Sequence, residues 1–160
     1  MYSNSSERWL AAAVDGGTRI IEHLRKSPYA GHIMGVCITT GAGGETMHWG
    51  YTANSGNTPR EQLALGDFSP PAQQRFREFL KQRYGSDVEK LRAAWRRPAV
   101  TFDQATVEIE ELRKAEMMNF RNPANSRMAM DYWDFHSDAS AAAVGRIAAA
   151  FKQASGDQWL

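Results

Sequence analysis

One carboxylate in the sequence follows a glycine-rich turn that comes directly after an apolar run. Glu45 directly follows residues 41–44, three of which are glycine, and the apolar run covers residues 33–39. Glycines let the backbone turn sharply and approach a ligand, and a carboxyl group near an apolar rim can have its pKa raised until it donates a proton. Glu45 is therefore a candidate general acid/base.

Three side chains suited to holding a sugar ring follow Glu45. His48, Trp49 and Tyr51 together offer an aromatic stacking face and hydrogen-bonding groups. The competing interpretation is that Glu45 is a solvated loop carboxylate beside incidental aromatic residues. Because no metal-ligand spacing such as H-E-x-x-H occurs, we expect neither a metal nor another cofactor.

The segment that must position Glu45 is predicted to be a β-strand. Residues 33–39 form a continuous apolar run that is too short for a typical helix and rich in β-branched residues, as in buried parallel strands. In β/α barrels the active site is built at the carboxyl ends of such strands. Residues 40–69 are predicted to be an active-site loop. Cys37, inside the run, is expected to be a small core residue rather than a nucleophile.

Helical periodicity predicts the remaining elements. The predicted helices span residues 4–26, 70–84, 86–97, 101–118 and 123–155, with Asn4 and Glu7 as a capping box at the start of the first. A single strand cannot satisfy its own backbone N–H and C=O groups, so a missed strand, a second copy or a larger protein must pair with it. We predict one α/β domain over residues 1–160, a partial (β/α) barrel that is mostly helical.

Composition narrows the range of partners. The 160 residues carry a net charge of +1, and the basic side chains are scattered, which argues against nucleic acid. No segment approaches the roughly 18 to 20 continuous apolar residues that cross a bilayer, so no membrane association is expected. The N-terminus has no basic region followed by an apolar stretch, and we expect a cytoplasmic protein.

Several short motifs occur together in the order and spacing of a known family. They are Ser5-Ser6-Glu7-Arg8-Trp9, Ser27-Pro28-Tyr29-Ala30, Ile33-Met34-Gly35, Gly44-Glu45, Asp67-Phe68-Ser69-Pro70, Phe76-Arg77-Glu78-Phe79-Leu80, Arg83-Tyr84-Gly85, Leu91-Arg92-Ala93-Ala94-Trp95, Asp131-Tyr132-Trp133-Asp134-Phe135 and Ser137-Asp138. In this order the chain resembles, over nearly its whole length, the central part of bacterial β-galactosidases of glycoside hydrolase family 42 and related barrel glycosidases.

The resemblance implies a retaining glycosidase acting on β-galactosides or similar β-linked sugars. In such enzymes one carboxylic acid protonates the leaving oxygen and a second carboxylate attacks the anomeric carbon. Glu45 matches the acid/base position, although Gly44 stands where the relatives commonly carry Asn. No residue matches the nucleophile, and Asp67, Asp131 and Asp134 are other available carboxylates. We expect a homo-oligomer, because a second copy would supply the missing carboxylate and pair the strand.

The alternative function is not catalytic. A barrel fragment that has lost its active centre would act as an oligomerisation or carbohydrate-binding module. A stable oligomer without turnover on any glycoside would favour this alternative.

Overall fold

The computed structural model describes residues 3–39, 66–107, 112 and 121–159. Within these ranges the chain forms helices α1 (Glu7–Arg25), α2 (Pro70–Arg83), α3 (Val88–Trp95) and α4 (Pro123–Ser155), with short 3₁₀ helices at Ala30–His32 and Phe102–Gln104. The same ranges contain no β-strand. The predicted α/β class, a partial (β/α) barrel, is therefore wrong, since the described part of the chain is helical.

The strand predicted at residues 33–39 does not form. This segment is neither helix, turn nor bend, and within the described residues its hydrogen bond to a distant part of the backbone runs from Val36 N–H to Trp159 C=O, at 3.0 Å. Met34 is 96% exposed, and Cys37 is exposed rather than part of the core. A strand needs a neighbour that continues the hydrogen-bond ladder, and the described residues provide none.

The described chain divides into two compact units. One comprises residues 3–39 and 139–159, and the other comprises residues 66–107, 112 and 121–138. Helix α4 contributes residues to both units. The helix has a kink at Ser126, at the end of its first turn, where the φ of −126° and ψ of 20° are not helical.

The first unit is built from α1 and the carboxyl-terminal part of α4. The Oγ of Ser6 accepts a hydrogen bond from Trp9 N–H at 3.3 Å, so Ser6, and not the predicted Asn4, caps α1. Leu10 and Ile21 are buried on one face of this helix. The predicted amphipathic pattern therefore places an apolar stripe of α1 in the core of the unit.

A close approach of α1 to α4 depends on a glycine. A Cβ atom added to Gly17 would lie 2.0 Å from the ring of Phe151, so only a residue without a side chain leaves room for that ring. Polar contacts flank this approach. Arg25 Nη1 donates to the carbonyl of Ala154 at 2.8 Å, and the Arg146 guanidinium lies 2.5 Å from the Glu7 carboxylate.

The second unit packs α2, α3 and the amino-terminal part of α4 around aromatic side chains. Phe76 is 2% exposed, and the centroid of its ring lies 6.2 Å from Trp95, 5.5 Å from Tyr132 and 5.4 Å from Phe135. Leu80 and Leu91 complete this core with no exposed surface. The side chains that meet Phe76 come from two other helices, so its burial couples all three.

The region predicted as a helix over residues 101–118 begins differently. Only Phe102–Gln104 is helical at its start, as a 3₁₀ helix, and residues 105–107 are not helical. Phe102, Ala105 and Val107 are buried. This irregular segment therefore contributes to the core through individual side chains rather than through a helical face.

No helix in the described ranges combines the length and the apolar character that crossing a membrane requires.

Adjacent glycines in α1 provide a matched test of the helix contact. We expect Gly17→Ala to lower the free energy of unfolding by about 1–3 kcal/mol, because the new methyl group would collide with Phe151. Gly16 has no atom within 4 Å of its added Cβ, so Gly16→Ala should instead raise the free energy of unfolding, by about 1 kcal/mol, through helix propensity. Urea denaturation followed by circular dichroism measures both. Equal stabilisation by the two variants would contradict the contact.

Candidate functional site

The predicted site residues Glu45, His48, Trp49 and Tyr51 lie outside the described residues. The described chain resumes at Gly66, inside the predicted active-site loop of residues 40–69. The described part of the candidate site is therefore the end of this loop, residues 66–69, together with the side chains of α4 that contact it.

Residues 66–69 are held against α4 by two side chains one helical turn apart. The Tyr132 hydroxyl donates to the carbonyl of Asp67 at 3.2 Å, and the Asp67 N–H donates to Nε2 of His136 at 3.4 Å. The ring of Phe68 stacks on that of Tyr132 with a centroid separation of 5.3 Å. Positions i and i+4 lie on the same face of a helix, so Tyr132 and His136 bind the same short segment.

The fit at this contact leaves no room for a side chain at residue 66. A Cβ atom added to Gly66 would lie 2.2 Å from the hydroxyl oxygen of Tyr132. Burial raises the pKa of Tyr132, and the negative charge of Asp67 raises it further, so the phenol keeps its proton and remains a donor. The carboxyl-terminal end of the predicted loop is thus attached to α4 at a defined place.

A buried carboxylate lies beside these residues on α4. Asp131 has no exposed surface, and its Oδ2 accepts hydrogen bonds from the Tyr84 hydroxyl at 2.5 Å and from Trp95 Nε1 at 2.8 Å. Its Oδ1 lies 3.0 Å from Nε of Arg127 and 3.2 Å from Nε of Arg83. These two contacts are ion pairs by distance but lack hydrogen-bond geometry. We call these five side chains the Asp131 cluster.

The buried negative charge of Asp131 is compensated within the Asp131 cluster. Removing a carboxylate from water is expensive unless cations and donors replace the water, and here two guanidinium groups and two neutral donors do so. Burial raises the pKa of Tyr84, and its hydrogen bond to Asp131 adds to that effect. For Arg127, burial acts to lower the pKa, but the hydrogen bond to Tyr84 and the charge of Asp131 outweigh it and raise the pKa. Both groups therefore stay protonated beside the Asp131 carboxylate.

The carboxylates considered as nucleophiles have structural contacts. Both oxygens of Asp131 face the cluster. Asp134 is half exposed, and its Oδ2 lies 2.6 Å from Nη1 of Arg83. Asp67 Oδ1 accepts a hydrogen bond from Ser69 N–H at 3.0 Å, next to the start of α2. These contacts orient helices and turns, which is a sufficient role for all three residues.

The sequence pattern places Arg83, Tyr84, Trp95 and Asp131 in separate motifs, with Asp131 as one available carboxylate, and does not predict that the four side chains meet. One signal was available. Asp131 precedes Tyr132 and lies four residues before Phe135, so it belongs to the predicted apolar face of the last helix, where a charged residue needs partners. Which side chains would supply them depends on helix packing, and periodicity does not give that.

Within the described ranges, no group of three or more His, Cys, Asp or Glu side chains is arranged to hold a metal ion. Comparisons of the chain with models of protein families, with curated proteins and with solved structures found no match.

Two aspartates on α4 allow a controlled test of the cluster. We expect Asp131→Asn to lower the free energy of unfolding by about 3–5 kcal/mol, because it leaves two guanidinium groups without their buried counter-charge. Asp134→Asn removes a partly exposed ion pair and should cost less than about 1 kcal/mol. Thermal and urea unfolding of both variants measure the difference. Similar small losses in the two variants would show that the cluster does not hold the unit together.

Proposed function

We propose that this chain takes part in the hydrolysis of β-galactosides or similar β-linked sugars, with Glu45 as the general acid/base. His48, Trp49 and Tyr51 are the proposed sugar contacts. The partner is a carbohydrate, and the proposed location is the cytoplasm, with which a single cysteine is compatible. No cofactor is needed, because the acid and the nucleophile of a retaining glycosidase are carboxyl groups.

The observation that carries the proposal is the convergence of separate motifs of the resemblance. Arg83-Tyr84, Trp95 and Asp131 belong to three different motifs, and their side chains surround one buried carboxylate. Each motif alone is common in proteins. Their convergence gives a structural reason for their joint order and spacing, which supports the resemblance on which the proposed chemistry rests.

The attachment of residues 66–69 provides a second line of support. Catalytic residues are commonly carried on loops that a rigid scaffold positions. The predicted loop that carries Glu45 ends at a segment bound by Tyr132 and His136, and both side chains are buried. Such an anchor is what a loop with a precise chemical task requires.

The second carboxylate of the reaction is proposed to come from a second copy of the chain. Asp67, Asp131 and Asp134 already have structural contacts, so they are poor candidates for a nucleophile. A homo-oligomer would bring a carboxylate of one copy to the site of another.

A non-catalytic role is the second candidate, and one observation favours it. The segment of residues 33–39 is apolar and joins no sheet within the part of the chain that the structure describes, and Met34 is 96% exposed. Such a segment suits an oligomerisation module whether or not Glu45 is active. A chain that binds galactosides without cleaving them would fit this candidate.

Replacement of the proposed acid tests the catalytic candidate. We expect Glu45→Gln to reduce the hydrolysis of phenyl β-galactoside by about 100-fold or more, because the amide cannot protonate the leaving oxygen. The loss should be smaller for a nitrophenyl galactoside, whose leaving group needs less protonation. Initial rates with purified protein measure both.

Glu78→Gln is the matched control. Glu78 is exposed on α2, where its carboxylate accepts a hydrogen bond from the Gln74 side chain, and its replacement should leave turnover and folding unchanged. Unchanged turnover in Glu45→Gln would remove Glu45 from the mechanism. Binding of galactose without turnover in the wild type would favour the non-catalytic candidate.

A further inference from the structure

One of the two side chains that hold residues 66–69 can change its charge. Nε2 of His136 accepts the hydrogen bond from Asp67 N–H at 3.4 Å. A ring nitrogen accepts a hydrogen bond only while it carries no proton, so the imidazole in this contact is neutral, with its proton on Nδ1. Histidine is also the side chain that ordinarily changes its charge between about pH 5 and 8. The bond to Asp67 therefore forms in one protonation state of His136 and not in the other.

The packing around His136 keeps Nε2 directed at the segment. The residue is 7% exposed, and the centroid of its ring lies 4.5 Å from that of Tyr132 and 5.3 Å from that of Phe135. A proton added at Nε2 would therefore face the N–H of Asp67, and two donors would oppose each other. A buried donor that has lost its acceptor costs free energy, which water restores once the segment moves away.

The other contacts of this segment keep the same form while His136 titrates. The Tyr132 hydroxyl donates to the carbonyl of Asp67 at 3.2 Å, and burial raises the pKa of Tyr132, so the phenol stays protonated. The side chain of Gln73 donates to the carbonyl of Phe68 at 2.8 Å. Protonation of His136 thus removes one contact among several, so it loosens the segment without unfolding the unit.

The ionisable neighbours of His136 decide which controls are needed. Within the described residues, those that contact His136 or a ring beside it are Asp67, Tyr132 and Arg121. Arg121 lies over the ring of Trp133 at 5.2 Å, and that ring lies 6.3 Å from His136. Asp67 carries a carboxylate next to the bond itself, so its titration must be separated from that of the imidazole.

We propose that His136 is a pH-dependent switch for the attachment of residues 66–69 to α4, in which the neutral imidazole holds the segment and the imidazolium releases it. The bond is present above the pH at which His136 titrates and is lost as the pH falls through it. Because these residues end the predicted loop that carries Glu45, the switch would regulate the candidate site, and to that extent it rests on the proposed function. The bond requires no turnover, so it is tested without a glycoside.

Nuclear magnetic resonance of the ¹⁵N-labelled protein measures the bond and the titration in one sample. Above the transition, Nε2 of His136 should have the resonance of a ring nitrogen without a proton. We expect the protection of Asp67 N–H from exchange, corrected for the intrinsic effect of pH, to fall at least about tenfold as His136 gains its proton, as for the loss of one hydrogen bond. Circular dichroism at each pH checks that the helices remain intact.

Two substitutions assign the transition to the imidazole. The amide oxygen of Gln accepts a hydrogen bond without a titratable proton, so His136→Gln should keep Asp67 N–H protected across the whole range. Asp67→Asn is the matched control. It removes the neighbouring carboxylate but leaves the backbone N–H, and it should retain the pH dependence of the wild type.

Three results would overturn the switch. They are constant protection of Asp67 N–H while His136 titrates, a fall of wild-type size in His136→Gln, and loss of the pH dependence in Asp67→Asn. None of these measurements involves hydrolysis. Unchanged turnover in Glu45→Gln would therefore remove the proposed chemistry and leave the switch in place, whereas failure of the switch would leave the Glu45 test untouched.

Discussion

The burial of one carboxylate constrains the second unit more than any other interaction described. Asp131 lies on α4 with no exposed surface, and three of its four partners come from outside that helix. Arg83 ends α2, Tyr84 follows it, and Trp95 ends α3. A carboxylate without these partners would remain buried and uncompensated, at a cost of several kcal/mol. The electrostatic requirement of a single side chain therefore fixes the ends of two helices against a third.

The same stretch of α4 connects this cluster to the candidate site. Tyr132 follows Asp131 directly, and His136 lies one turn further along. These two residues bind the backbone of Asp67, at the end of the predicted loop. The helix thus has a structural side chain and two anchoring side chains within six residues.

Periodicity predicted the four α-helices of the described ranges because each has an apolar stripe or a clear stop or start, such as Pro28 after α1 and Pro70 at the start of α2. It failed for residues 33–39. An apolar, β-branched run has the composition of a strand, but a strand exists only when a neighbour pairs with it, and composition carries no information about that neighbour. The expectation that Cys37 is buried was wrong for the same reason, because a core position was inferred from the same apolar run. The Asp131 cluster could not be predicted either, because its members are separated by up to 48 positions in the sequence, from Arg83 to Asp131.

Hydrogen exchange at the indole of Trp95 tests the buried carboxylate most directly. Its Nε1–H donates to Asp131 at 2.8 Å, and the residue is 7% exposed. If the cluster holds α2, α3 and α4 together, this proton should exchange only when the unit unfolds, with a protection factor that matches its free energy of unfolding. Exchange at the rate of a free indole, in protein whose helices remain intact, would contradict that account.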